Sequence, residues 1–393
     1  MVVTCEIKFE QNPAGIYFNG QLVRGSVVLS VAKAIDVQAI TVKIRGSAVT
    51  QWKERRFHRS SIFAGHEDYI AFDSYLLGSE EARKQILHAG IHCYSFSCQI
   101  PSACPSSFEG RHGYIRYVAK VAVMRADKAD IGFAQGFTVL KLVDLNCDTP
   151  IVDTPSSSET YRTFCCGPCT TEPLKLELSV PQTGYVPGQS VVVNLLVINN
   201  SSIPVAEVEF SLVMLVRYFS QRPERRSRVQ RIIVSRAKGD AVLRNCTRSI
   251  TQQLHVPATP PTCVTDSIIQ VAYHVEVEAR MKNIHGSQVV TMPLVVGNVP
   301  LRSVVQAQPT NNESFKNFEQ GCRDIALGAS SSYTTAPPSY EESVHMVRAD
   351  ISQHDVGFVP LYPVFDIPSP SAPPIRPDAG FQFDGYDNRN FQS

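Results

Sequence analysis

SIIQVAYHVEVEARM, residues 267–281, alternates with a period of two. Ile269, Val271, Tyr273, Val275, Val277 and Ala279 fall on one face, and Gln270, His274, Glu276, Glu278 and Arg280 on the other. Successive side chains of an extended chain point to opposite sides. The pattern therefore predicts a strand with one face on a core and the other in water, the usual state of an antiparallel sheet. IRYVAKVAV does the same, with Ile115, Tyr117, Ala119, Val121 and Val123 inward and Arg116 and Lys120 outward. Alternation dominates to about residue 300, which predicts an all-β chain. The best helical candidate is the short SEEARKQIL, residues 79–87.

The strands are written twice. GIYFNGQLVRGSVVLSV, from Gly15, aligns with TGYVPGQSVVVNLLVIN, from Thr183, at a constant offset of 168. Tyr17 falls on Tyr185, Gly20-Gln21 on Gly188-Gln189, Val23 on Val191 and Leu29 on Val197. The same offset carries Ile40, Val42 and Ile44 onto Val208, Phe210 and Leu212. An offset of 156 then pairs Ile100-Pro101 with Val256-Pro257 and Tyr117 with Tyr273. Two offsets, each held over several motifs, describe two copies with different loop lengths. Each copy has the size of a β-sandwich of about seven strands. The expected division is a first sandwich at 1–147, a Cys/Pro/Ser-rich linker at 148–171, a second sandwich at 172–300 and a disordered tail at 301–393. The tail is assigned from its scattered prolines and low aliphatic density.

Net charge is +1, which gives no argument for nucleic acid; neither a recognition helix nor a finger is present. The charge is uneven. From Leu301 onward six basic residues stand against eleven acidic ones, so a basic body carries an acidic tail. MVVTCEIKFEQ lacks the basic-then-apolar pattern of a secretory leader, and no apolar run reaches the roughly 18 residues of a membrane span. Eleven cysteines in such a chain read as cytosolic thiols, and the sequon at Asn245 as inert.

Several motifs together resemble the α-arrestins, the arrestin domain-containing proteins. The first copy carries Tyr17-x-x-Gly20-Gln21, Gly25-x-Val27, Gly46 and the only tryptophan, Trp52; FEGRHGYIRYVAKV follows from Phe108. The second carries Gly184-Tyr185-x-x-Gly188, and the tail holds Pro-Pro-x-Tyr. The resemblance covers nearly the whole chain and implies two tandem arrestin-type, immunoglobulin-like antiparallel β-sandwiches. It also implies a cytosolic, non-enzymatic adaptor, recruited to plasma membrane and endosomes. Such an adaptor binds a membrane receptor or transporter as cargo and brings in a WW-domain HECT-type ubiquitin ligase. The phosphate sensor and clathrin motifs of the β-arrestin and visual branch are not carried over, because that branch lacks the Pro-Pro-x-Tyr tail. A ligase-independent, retromer-like sorting scaffold and a thiol-dependent redox partner are the alternatives.

Pro337, Pro338 and Tyr340 are the expected WW ligand. A WW domain takes a polyproline II segment in an aromatic groove and a tyrosine ring in a pocket; two prolines pre-set that conformation. Val359-Pro360-Leu361-Tyr362 is a second match lacking the first proline, so Pro360 and Tyr362 are a secondary site. The two tyrosines are 22 residues apart, and a flexible linker of that length spans about 25 Å, enough for two WW domains of one ligase. RYFSQRPERRSRVQRIIVSRAKGD, 217–240, is a basic hairpin of the second copy. Arg222, Arg225, Arg226, Arg228 and Arg231 read either as a solvated edge that blocks aggregation or as a contact for anionic lipid or acidic cargo. TQWKERRFHRS in the first copy is also basic, which favours a shared face.

Cys165-Cys166-x-x-Cys169 contains the dithiol spacing Cys-Gly-Pro-Cys. Redox use needs a helix N-terminus to lower a thiol pKa, and zinc needs a second pair, for which only distant Cys147 or Cys246 offers. A reduced, partly buried hinge is the third reading. His66-Glu67 lacks the second histidine of HExxH, and no GxSxG, P-loop or GxGxxG occurs. No cofactor or metal is expected.

Overall fold

The computed structural model describes residues 3–10, 12–56, 59–125, 128–147, 152–166, 169–170, 173–264, 267–281, 286–302 and 358–365. The first sandwich is built from β1 (Val3–Phe9), β2 (Ile16–Phe18), β3 (Leu22–Val31), β4 (Ile35–Val37), β5 (Ala39–Arg56), β6 (Arg59–Gly78), β7 (Gln85–Leu87), β8 (Gly90–Gln99), β9 (Phe108–Gly110), β10 (Gly113–Met124) and β11 (Ile131–Leu140). Its sheets run β1-β3-β8 and β2-β11-β10-β5-β6, with β9 also on β10. The second holds β12 (Ser156–Arg162), β13 (Cys165–Cys166), β14 (Cys169–Thr170), β15 (Leu174–Val180), β16 (Gly184–Tyr185), β17 (Ser190–Asn199), β18 (Val205–Phe219), β19 (Ser227–Gly239), β20 (Cys246–His255), β21 (Ile269–Met281) and β22 (Ser287–Val296). Its sheets run β12-β15-β17-β20 and β16-β22-β21-β18-β19.

Alternation decides which faces meet. All six apolar residues read inward on β21 are buried, and so are the five on β10. They face the inner rows of the opposite sheets, Val23, Val27 and Leu29 in one sandwich and Val191, Val193 and Val197 in the other. Each buried aliphatic side chain contributes about 1.5–3 kcal/mol, and this sum holds the layers together.

The repeat extends to individual hydrogen bonds. Gln21 accepts from the Phe18 amide at 2.7 Å, and Gln189 from the Val186 amide at 2.8 Å. Gly20 donates to the Ile100 carbonyl, and Gly188 to that of Val256. Both glycines have positive φ, 83° and 97°, so each Tyr-x-x-Gly-Gln turn depends on a backbone conformation that other residues rarely adopt. β2 and β16 hold Tyr17 and Tyr185 in equivalent parallel pairings with β11 and β22.

Two expectations are corrected. SEEARKQIL is not a helix: Gln85–Leu87 pairs antiparallel with Ile35–Val37, as β7 on β4. So short a helix is marginal in water, and only Leu87 of the stretch is buried. Sheet pairing gives that one residue a core and satisfies the backbone as well. Within the expected linker, Ser156–Arg162 forms the edge strand of the second sandwich, paired with β15. None of its side chains is fully buried, so there was no apolar alternation to read.

Tyr117 and Tyr273, the offset-156 pair, each donate a buried hydroxyl at 2.7 Å to a proline carbonyl, that of Pro105 and of Pro260. Tyr117→Phe and Tyr273→Phe should each cost about 1–3 kcal/mol, because a buried acceptor loses its donor. Urea unfolding should show a lower midpoint at unchanged slope. A loss in one sandwich and none in the other would show that the repeat is not energetic.

Candidate functional site

Some of the residues that sequence reading singled out, Arg222 and Arg226 among them, lie at the seam between the sandwiches; Pro337, Pro338 and Tyr340 lie outside the described residues. At the seam the β5–β6 hairpin meets the end of the β18–β19 hairpin. Ala64 and Arg222 form an antiparallel bridge, each amide donating to the other's carbonyl at 2.9 Å. The Thr50 hydroxyl donates to the Phe219 carbonyl at 2.6 Å, and the His66 amide to Gln221 Oε1 at 3.0 Å. Glu67 accepts from the Ile268 amide and from Tyr69, whose oxygen also lies 2.9 Å from Ser267 Oγ.

The basic cluster divides across this seam. Arg226 is half-buried: its guanidinium lies 5.2 Å from the Phe63 ring centre, and its nitrogens reach Glu224 at 2.6 Å and Glu54 at 3.5 Å. Trp52 stacks on Phe63 at 5.7 Å and donates to Glu54 at 3.0 Å. The two basic stretches therefore meet each other. Arg231 pairs with Glu276 at 2.6 Å, and Arg225 lies 5.8 Å from the Phe219 ring centre. The side chains of Arg222, Arg225 and Arg231 are exposed; Arg228 is half-buried beside His112. Part of the cluster holds the domains together, and part faces solvent. The exposed pairs contribute at most about 1 kcal/mol each, so the seam rests more on its backbone bonds and rings.

A second contact joins the chain ends of the two sandwiches. Asn298, buried, accepts from the Val143 amide at 2.8 Å and donates to the Lys141 carbonyl at 2.8 Å. Asn146 donates to the Pro300 carbonyl and accepts from the Arg302 amide. Leu145, Val152, Val186, Leu301 and Phe365 form a small separate core beside it. No periodicity marks Asn146 or Asn298, and sequence reading missed both.

Phe365 comes from the tail, and here the expectation of disorder is corrected. Residues 358–365 lie across the body. Pro360, Tyr362 and Phe365 are buried, while Val359 and Val364 are exposed. Tyr362 donates its hydroxyl to the Ser107 carbonyl at 2.9 Å, and Leu361 its amide to Thr138 Oγ1 at 3.1 Å. The Phe365 amide donates to the Pro187 carbonyl at 3.0 Å. Burying the Phe365 ring contributes about 1.5–3 kcal/mol, and each bond about 1 kcal/mol. The secondary WW residues, Pro360 and Tyr362, are thus occupied by the body.

The dithiol spacing also lands in sheet. The Cys165–Cys166 backbone pairs with Cys169–Thr170, Cys166 opposite Cys169. Cys169 thus sits in a strand, without the helix N-terminus that activates a redox thiol.

His112 touches Tyr218 edge-on across the seam, with ring centres 5.4 Å apart. Burial and the charges of Arg228 and Arg111 push its pKa from 6.5 down to about 4. Below the unfolded value the unfolded chain takes up a proton that the folded one refuses. The stability His112 contributes is therefore full above pH 6.5 and is lost as pH falls through about 4. Urea unfolding at several pH values should show a shallower acid loss for His112→Gln than for wild type over that window. Parallel curves would remove His112 from the account.

Models of the arrestin (or S-antigen) N-terminal and C-terminal domains match residues 5–146 and 170–301. Arrestin domain-containing protein 17 of Caenorhabditis elegans is 28% identical over 309 residues, 75% of this chain and 70% of that relative. Arrestin domain-containing protein 4 of Mus musculus is 24% identical over 369 residues, 90% of this chain and 84% of the relative. Arrestin domain-containing protein 1 of Mus musculus is 26% identical over 313 residues, 79% and 67% of the two chains. With one domain model on each sandwich and arrestin domain-containing relatives along most of its length, the chain belongs to the arrestin family, on the α-arrestin branch, and has the character of an arrestin-type adaptor.

Proposed function

We propose that the chain links membrane cargo to ubiquitination. The two sandwiches bind a receptor or transporter, and the C-terminal region recruits a HECT-type ubiquitin ligase through its WW domains. Cargo is then ubiquitinated and sorted through endosomes by a protein that works from the cytoplasm. One observation carries this reading: Pro337-Pro338-Ser339-Tyr340 follows an arrestin body on the same chain. The prolines favour the extended conformation that a WW groove accepts, and Tyr340 supplies the ring for its pocket. Among the described residues no helix is long and apolar enough to cross a membrane. In this reading the body reaches the membrane through its cargo, aided by anionic lipid at the exposed arginines Arg222, Arg225 and Arg231.

Tyr340→Ala in the full chain should weaken binding to an isolated WW domain by roughly thirty-fold or more, as expected when an aromatic anchor is lost. Ubiquitin blotting of co-precipitated cargo in cells should fall with it. Undiminished WW binding and cargo ubiquitination would transfer the chain to the ligase-independent scaffold class.

A further inference from the structure

The tail segment at 358–365 lies in a cleft whose walls come from both sandwiches. On the first, the Phe358 ring covers Gly136, where a Cβ would stand 2.5 Å from a ring atom. Thr138 Oγ1 and the Ser107 carbonyl then take the Leu361 amide and the Tyr362 hydroxyl. On the second, the Phe365 amide bonds to Pro187, and its carbonyl rests on Gly188, where a Cβ would stand 2.0 Å away. The equivalent turn of the first sandwich has nothing within 4 Å of the Cβ position at Gly20. The same turn occurs twice, and one copy carries a peptide.

The contacts specify a ligand chemistry. Two backbone amides and one phenol are read by oxygen acceptors, and rings at either end fill a glycine-floored groove and an apolar pocket. Tyr362 is read by ring and hydroxyl together, the same group a WW pocket would enclose. We propose that this cleft is a binding site for an extended Phe-x-Pro-x-Tyr-x-x-Phe peptide, that residues 358–365 are its resident ligand, and that docking withholds Tyr362 from WW domains. The last clause rests on the function proposed above; the site itself does not. In the docked state ligase binding falls to Tyr340, and in the undocked state two tyrosines 22 residues apart serve a tandem WW ligase.

The test uses a fluorescent peptide of residues 355–368 and the full chain carrying Tyr362→Ala and Phe365→Ala, which empties the cleft. The peptide should bind this chain and bind wild type at least about tenfold more weakly, because the resident segment competes at high effective concentration. Adding Gly136→Val, or separately Thr138→Val, to the emptied chain should reduce peptide binding, with its melting temperature confirming the fold. No binding to the emptied chain, equal binding to both chains, or equal binding of a peptide with Tyr362→Ala overturns the site. Gly136→Val alone should raise affinity for a tandem WW protein at least about tenfold, and Tyr362→Ala should abolish that gain. If Tyr340→Ala abolishes WW binding and Gly136→Val brings no gain, the withholding of Tyr362 is overturned. If Tyr340→Ala changes nothing, it is the ligase reading that fails, and positive peptide results support the site without it.

Discussion

Ala64 and Arg222 exchange amide hydrogen bonds across the boundary between two sandwiches, and the placement of the other seam groups depends on that bridge. Backbone groups cannot shift without moving the strands that carry them. The bridge therefore fixes the β5–β6 hairpin against the end of β18–β19 to within the tolerance of a hydrogen bond. Trp52, Phe63 and Arg226 follow into their stack, and His112 comes to rest on Tyr218. The bonds of Asn298 to Val143 and Lys141 tie the chain ends in the same manner. Interfaces between domains of one chain are commonly mobile. Here two sets of directional bonds restrict that freedom.

The sandwiches were legible because burial and period coincide. Val271 through Ala279 alternate in sequence and in the structure alike, and the Gly20-Gln21 and Gly188-Gln189 pairs mark turns that need positive φ. What escaped had no period to show. Ser156–Arg162 is an edge strand held by backbone bonds, with polar residues on both faces. The contacts of Asn298 span 155 and 157 residues, and one side chain leaves no pattern. Arg226 was legible as a charge and not as a member of a stack, because Phe63 and Glu54 lie in the other copy.

Tyr362 shows most clearly how a motif is decided by its surroundings. In sequence it sits one proline short of a WW ligand, in a region whose composition argues against a core. In the structure Tyr362 has a specific acceptor, and Phe365 a pocket contributed by Leu145, Val152, Val186 and Leu301. Composition averages over many residues, whereas three rings and a proline suffice to seat eight residues when a groove is already present. The body and residues 358–365 are therefore not independent modules.

Because residues 358–365 grip both sandwiches at once, their affinity is a function of the angle between the two. Reciprocity follows from thermodynamics alone. A cargo that prefers a rotated pair of sandwiches must loosen the segment by the same factor by which the docked segment weakens that cargo. The tail would thus act as a gauge of what the body holds, without touching the cargo.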